Sequence, residues 1–154
     1  MDEIVARSLA KWPNVPAVFG WLSLDRRGNW RIKGERISNT ALREFIARNY
    51  EADPQGRWFF QNGPQRVYVA LEYTPLVVRF DGEGLLDHCG RPFAAQRCLV
   101  DDEGSVLFEG SDTVALLDDR ELLQFADSPH AVNPAVKARS EIPRQYGFVP
   151  DPRP

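Results

Sequence analysis

The sequence predicts an α+β protein: antiparallel β-hairpin sheets with two or three short helices, organised as two similar hairpin-plus-helix units. Three observations carry that prediction. A turn signature, Asp-x-x-Gly followed by one polar and one large apolar residue, occurs as Asp25-Arg-Arg-Gly28-Asn-Trp30, as Asp53-Pro-Gln-Gly56-Arg-Trp58 and as Asp101-Asp-Glu-Gly104-Ser-Val106. Asp opens such a turn because its carboxylate accepts backbone N–H groups a few residues on, and Gly adopts the positive φ that closes it. The flanking residues alternate apolar and polar at the period of a half-buried strand. Finally, Asn39 and Asp118 stand where helix N-caps belong, each ahead of apolar residues at helical spacing.

The elements follow in order. Residues 2–11 read as a helix that places Ile4, Val5 and Leu9 against the body. Leu22 and Leu24, then Trp30 and Ile32, form the first hairpin with Trp30 facing inward. A helix starting near Asn39 presents Leu42, Phe45 and Ile46 and stops near Asn49. Residues 57–61 are a strand, Asn62-Gly63-Pro64 reverses the chain, and residues 65–72 continue it, with Val67, Val69 and Leu71 on one face and Arg66, Tyr68 and Glu72 on the other. Tyr73-Thr-Pro75 turns the chain before the strand 76–80. Gly34 and Gly110 stand equally far from Asp25 and Asp101, so the first and third turns open the two related units. The second helix has Asp118 three residues before Glu121, in the manner of a capping box, followed by Leu122, Leu123 and Phe125. From Ser128 on, Pro129, Pro134, Pro143, Pro150, Pro152 and Pro154 oppose helix and central strand alike, and the tail is expected to be extended and docked through Tyr146 and Phe148. The expected divisions are residues 1–80 (N-terminal helix plus the first hairpin, helix and meander), 81–127 (second hairpin and helix) and 128–154 (Pro-rich extended tail).

With 43% hydrophobic and 27% charged residues, the chain of 154 residues can fold as a globular protein with an aromatic-rich core. No apolar stretch approaches the roughly 18 residues needed to span a bilayer, and the acidic start lacks a secretory signal pattern, so a cytoplasmic location is expected. A net charge of -3 disfavours a whole-protein field for polyanions. Arg26, Arg27, Arg31, Lys33 and Arg36 nevertheless form a local basic cluster that could meet an anionic partner. Stacking on a base would require Trp30 outside, whereas alternation turns it in, so nucleic acid is disfavoured.

Residues suited to catalysis are few. Histidine is limited to His88 and His130; His88 and Cys89 are adjacent and would point to opposite faces of a strand, and Cys98 with His88 is a pair only if the fold makes it one. Asp87, His88, Cys89 and Cys98 are ligand types without a metal-binding spacing. Asp81-Gly-Glu-Gly84 begins a phosphate-loop pattern but lacks its third glycine, since position 87 is Asp87, and reads as a turn. Asp101-Asp102 and Asp118-Asp119 sit where a turn and a helix start already need carboxylates. No catalytic residue, metal or cofactor is expected. The sharper binding candidate is the strand face of Arg66, Tyr68 and Glu72, where a charged fork beside an amphipathic ring suits recognition; the alternative is an ordinary cross-strand surface ladder.

Gly28-x-Trp30, Gly34-x-x-Ile37, Leu42-x-x-Phe45, Asp53-x-x-Gly56-x-Trp58 and Glu72-x-x-Pro75-Leu76 together resemble a proteobacterial family catalogued as domain of unknown function 1285. The resemblance covers roughly residues 19–125 and rests on turn and core residues, which specify fold rather than chemistry. It implies a compact α+β fold with an internal repeat and a link to signalling, with no established activity. The chain has Asn-Gly-Pro-Gln at 62–65 where that resemblance would place Thr-Pro-x-Glu. The expected function is a non-enzymatic regulatory or small-ligand-binding module with its site in the cleft between the two units. The alternative is an interaction or self-association module using strand edges or the tail, a homodimer included.

Overall fold

Each Asp-x-x-Gly signature is a hairpin tip, and four turns rather than three share its hydrogen-bonding pattern. In the computed structural model, which describes residues 1–154, the Asp N–H donates to the carbonyl four residues on: Asp25 to Asn29 at 3.0 Å, Asp53 to Arg57 at 2.8 Å, Asp87 to Arg91 at 2.8 Å and Asp101 to Ser105 at 3.0 Å. One carboxylate oxygen accepts return bonds, from Gln55 and Arg57 at Asp53, from Cys89 and Arg91 at Asp87, and from Glu103 and Ser105 at Asp101. The glycines Gly28, Gly56, Gly90 and Gly104 have φ of 80°, 81°, 84° and 82°, the left-handed conformation this turn demands. The Asp87 copy escapes the sequence pattern because Pro92 stands where the others carry a large apolar side chain. Its His88 and Cys89 are turn residues.

The chain divides into two units. The first comprises Met1–Asp25, Asn29–Glu72 and Phe148–Pro154. It contains α1 (Glu3–Lys11), β1 (Val18–Leu24), β2 (Trp30–Ile32), β3 (Glu35–Arg36), α2 (Thr40–Arg48), β4 (Tyr50–Ala52), β5 (Trp58–Asn62) and β6 (Gln65–Leu71). The strand order is β3-β2-β1-β6-β5-β4. Leu22, Leu24, Trp30, Val67, Val69 and Leu71 are buried, as the alternation predicts, with Trp30 2% exposed, while Ile32, expected to face inward as well, is half-buried near the sheet edge. Asn39 caps α2 by accepting the Leu42 N–H at 2.9 Å, and Ile46 beneath that helix is sealed.

The second unit comprises Arg26–Gly28 and Tyr73–Gly147. It contains β7 (Leu76–Asp81), β8 (Gly84–Asp87), β9 (Pro92–Phe93), β10 (Arg97–Asp101), β11 (Val106–Glu109), β12 (Val114–Leu117), α3 (Leu122–Ala126), β13 (Ala135–Lys137) and α4 (Ile142–Gln145), in the order β13-β10-β11-β12-β7-β8-β9. Asp81-Gly-Glu-Gly84 is the β7–β8 turn, with Gly82 at φ 61°. Asp118 caps the turn before α3 by accepting the Arg120 N–H, but the box is not reciprocal. Glu121 instead accepts the Phe80 N–H at 2.9 Å, while the Asp118 N–H donates to Val78 at 2.9 Å, so both residues tie the helix to β7.

Four expectations are corrected. The sheets are mixed, not purely antiparallel: β1 pairs with β6, β7 with β12 and β10 with β13 in parallel. Alternation reports which residues face inward, and hairpin turns fix only neighbouring strands; the direction in which two meanders meet is a tertiary choice. In both units a three-stranded meander joins the next through its first and the other's last strand, β1 with β6 and β7 with β12. Strand order therefore matches Asp101, between β10 and β11, to Asp53, between β4 and β5, and not to Asp25. Next, β7, which the boundary at 80 assigned to the first unit, is hydrogen-bonded in the second sheet. The tail, finally, is only partly extended. β13 joins β10, and Pro143 sits in the first turn of α4, where a missing N–H costs nothing. Residues 148–154 return to the first unit, with Val149 N–H donating to Gly56 at 2.9 Å and Leu71 N–H to Pro150 at 2.7 Å.

Candidate functional site

The Arg66, Tyr68 and Glu72 face of β6 is not an open surface. Tyr68 is 4% exposed, because β6 lies inside the sheet between β1 and β5 and its second face is also covered. The Phe19 ring stacks on Tyr68 at 4.7 Å, Phe59 meets it edge-on at 6.0 Å, and the Arg57 guanidinium lies 4.6 Å from its centroid. Arg66 covers Phe59 at 3.8 Å, and Glu72 is exposed beyond the strand end. The Tyr68 hydroxyl donates to Asp53 at 3.1 Å, which makes it a buried strut of the Asp53 turn. Burial pushes the Asp53 carboxyl up, but the N–H and guanidinium of Arg57, the Gln55 N–H and the Tyr68 hydroxyl outweigh it and hold the carboxyl below its ordinary range.

The same device recurs in the second unit, between residues 28 positions apart in the chain. The Tyr73 hydroxyl donates to Asp101 at 2.7 Å, and the guanidiniums of Arg26 and Arg139 lie 5.3 and 4.6 Å from the Tyr73 ring centroid. Burial, then the Asp101 carboxylate, push the Tyr73 phenol far up, so it remains a donor.

The basic cluster is largely spoken for. Arg26 donates to Ser105 Oγ at 2.6 Å, Arg27 pairs with Asp119 at 2.8 Å, and Arg31 pairs with Asp25 at 2.9 Å and reaches the Gly34 carbonyl at 3.0 Å. Arg26 and Arg27 belong to the second unit, while Arg31, Lys33 and Arg36 belong to the first. Lys33 and Arg36 are the exposed cations of β2–β3, beside a tryptophan whose indole is buried.

Neither thiol is activated. Burial pushes the Cys89 thiol up to about 12 and the Cys98 thiol up to about 11, so both are protonated at neutral pH. No group of three or more His, Cys, Asp or Glu side chains converges as a metal site. His88 accepts the Val77 N–H through Nδ1 at 3.2 Å, which places its proton on Nε2.

Cys98 has a different histidine for company. A cavity of about 430 Å³ opens at the N-terminal ends of β10 and β13, lined by Gln96, Arg97 and Cys98 on one side and by His130, Asn133 and Pro134 on the other. His130 is fixed by Phe108, edge-on at 5.0 Å, and by Phe80 at 6.4 Å. The Arg97 guanidinium donates to Glu109 at 3.2 Å, and the same carboxylate accepts the Tyr146 hydroxyl at 2.6 Å. Tyr146 and Glu109 thus aim and hold the charge at the cavity rim. Asn133 has φ of 57°, a conformation Asn tolerates better than most residues. Ala95, Val132 and Ala135 supply apolar wall. In sequence this half of the cavity lies in the Pro-rich tail; the signal available was Asn133-Pro134 beside a rare histidine. The arrangement offers amide, guanidinium and imidazole groups over an apolar floor, with no activated nucleophile.

Comparison with known proteins bears on the fold. A DUF1285 family protein from Silicibacter pomeroyi DSS-3 is similar in structure, with a TM-score of 0.54 at 16% identity, over 82% of this chain and 84% of that one. A second DUF1285 family protein, from Shewanella baltica OS155, aligns with a TM-score of 0.48 at 17% identity over 69% of this chain and 90% of its own. The first likeness shows a shared α+β fold, as the turn and core motifs imply. No curated protein matches the chain. The model of the DUF2944 family, described as "Protein of unknown function (DUF2946)", matches residues 1–153.

Proposed function

We propose, for a chain that belongs to the DUF2944 family, a non-enzymatic small-ligand-binding role in which occupancy of the cavity lined by residues 95–98 and 130–135 is the regulatory signal. The cavity itself carries the reading: about 430 Å³ falls within the roughly 300–1,000 Å³ typical of small-molecule sites, and its polar groups converge over an apolar wall. Arg97 gives one nitrogen to Glu109 and keeps further guanidinium N–H groups, and with the amides of Gln96 and Asn133 and the His130 ring these favour an organic ligand carrying a carboxylate or phosphate. Thiols held protonated supply no nucleophile, which favours binding over turnover. Two free cysteines suit a reducing, cytoplasmic setting, and no helix is long and apolar enough to cross a membrane.

A thermal-shift panel of carboxylate- and phosphate-bearing metabolites tests this. A ligand at a hundred times its dissociation constant adds roughly 2.7 kcal/mol of stability. Ala95→Trp, at an exposed lining position, is expected to abolish the shift without lowering the unliganded midpoint. A panel with no stabilising compound, or stabilisation that survives Ala95→Trp, refutes the reading.

A second reading rests on β13, an edge strand whose Val136 is 75% exposed beside Val132 at 78%. Edge pairing between two copies would cover both valines. Light scattering on the eluting protein should then show a dimer that Val136→Lys converts to monomer; a monomer at all concentrations excludes it.

A further inference from the structure

We propose that the first unit carries a separate binding site: an apolar cleft between α2 and the sheet that takes a neutral aromatic molecule with one polar atom, of the indole type. The cleft has a volume of about 220 Å³. Its walls are Ile32, Ile46, Phe60 and Val67, with Trp21 and Leu42 at the mouth. Leu42 and Ile46 are one turn apart on the same side of α2, yet Ile46 is 1% exposed and Leu42 is 38% exposed. The apolar stripe of this helix is therefore sealed at one end and open at the other. Trp21, 43% exposed, borders the opening.

Charge decides the chemistry of the occupant. No charged residue lines the cleft, so an ionised ligand would lose its hydration without a counter-charge. Asn62 is the polar side chain of the lining; it is exposed at the β5 end and can both donate and accept one bond. Size points the same way, since a dry apolar cavity of about 150 Å³ already admits benzene. A ring here would meet Phe60 and Trp21, both able to contact it edge-on or offset. This site and the anion cavity lie in different units, so either can fail alone.

Methyl-resolved NMR titration of the full chain with indole tests the assignment. Saturable shifts are expected at Leu22, Ile32, Leu42, Ile46 and Val67. Indole-3-acetate, the same ring bearing a carboxylate, should bind at least tenfold more weakly, and n-hexanol, neutral but not aromatic, should also bind more weakly than indole. Leu42→Trp should fill the mouth and weaken indole binding at least tenfold while the melting temperature holds, because position 42 is exposed. Should that variant fail to fold, Ile32→Phe narrows the cleft from the sheet side and is expected to do the same. Non-saturating shifts, shifts outside the cleft, equal binding of either comparison compound, or unchanged affinity in the filled variants overturns the proposal.

Discussion

Removing the buried Asp53 carboxylate should be the most damaging change among the turn carboxylates of the first unit. Its Oδ1 accepts the N–H groups of Gln55 and Arg57 at 2.9 and 3.0 Å, and its Oδ2 accepts Arg57 Nε at 2.8 Å and the Tyr68 hydroxyl at 3.1 Å. Each bond from a backbone N–H to a charged acceptor contributes about 1.5 kcal/mol or more, and the hydroxyl about 1 kcal/mol. Arg57 is partly exposed, so its ion pair adds less than about 1 kcal/mol. Asp53→Ala is thus expected to cost about 4 kcal/mol, a large share of the roughly 5–15 kcal/mol a domain possesses. Asp53→Asn keeps the turn-closing oxygen and should cost about 2 kcal/mol, while Tyr68→Phe should cost about 1 kcal/mol. Trp12, Trp21, Trp30 and Trp58 all lie in the first unit, so tryptophan fluorescence during urea unfolding reports that unit. With a slope of about 2 kcal/mol per molar urea, Asp53→Ala should lower the midpoint by about 2 M. A loss under about 1 kcal/mol for Asp53→Ala, or a larger loss for Tyr68→Phe, would show that Asp53 does not organise the turn.

Two more outcomes are expected. Gly28→Ala should destabilise by about 2–4 kcal/mol, since its φ is 80° and an added Cβ would stand 2.7 Å from His88 Cβ; Gly104→Ala, with φ of 82° and nothing within 4 Å, should cost only about 1–2 kcal/mol. Equal drops in melting temperature would remove the crowding explanation. Stability should also fall in acid: Asp53 and Asp118 titrate below the ordinary value of 3.8 when folded, so their contribution is complete above that pH and disappears as pH falls through the folded values. Urea midpoints measured from pH 6 down to pH 2.5 should decline below about pH 4, less steeply in Asp53→Asn; a flat profile contradicts the assignment.

Local chemistry explains which features could be read without coordinates. Asp25, Asp53 and Asp101 announced their hairpins because a carboxylate, a following N–H and a glycine act over five residues, and Asn39 announced α2 for the same short-range reason. Asp87 obeys the same physics but falls outside the Asp-x-x-Gly-polar-apolar pattern, because Pro92 stands where the pattern has a large apolar residue. Trp30 faced inward as predicted, yet Tyr68 on the opposite face was buried too, since period-two alternation assumes that one side of the sheet meets water.

Sequence alone determined the α+β class, the Asp25, Asp53 and Asp101 turns, the cap of α2 and the inward strand residues Leu22, Leu24 and Trp30, all set by interactions among near neighbours. Only tertiary structure decided that β1 meets β6 and β7 meets β12 in parallel, and that Tyr68 and Tyr73 brace the Asp53 and Asp101 turns. It also decided that Cys98 shares a cavity with His130 and not with His88. Those pairings join residues far apart in the chain, and their energies depend on burial and on distances that no local pattern encodes.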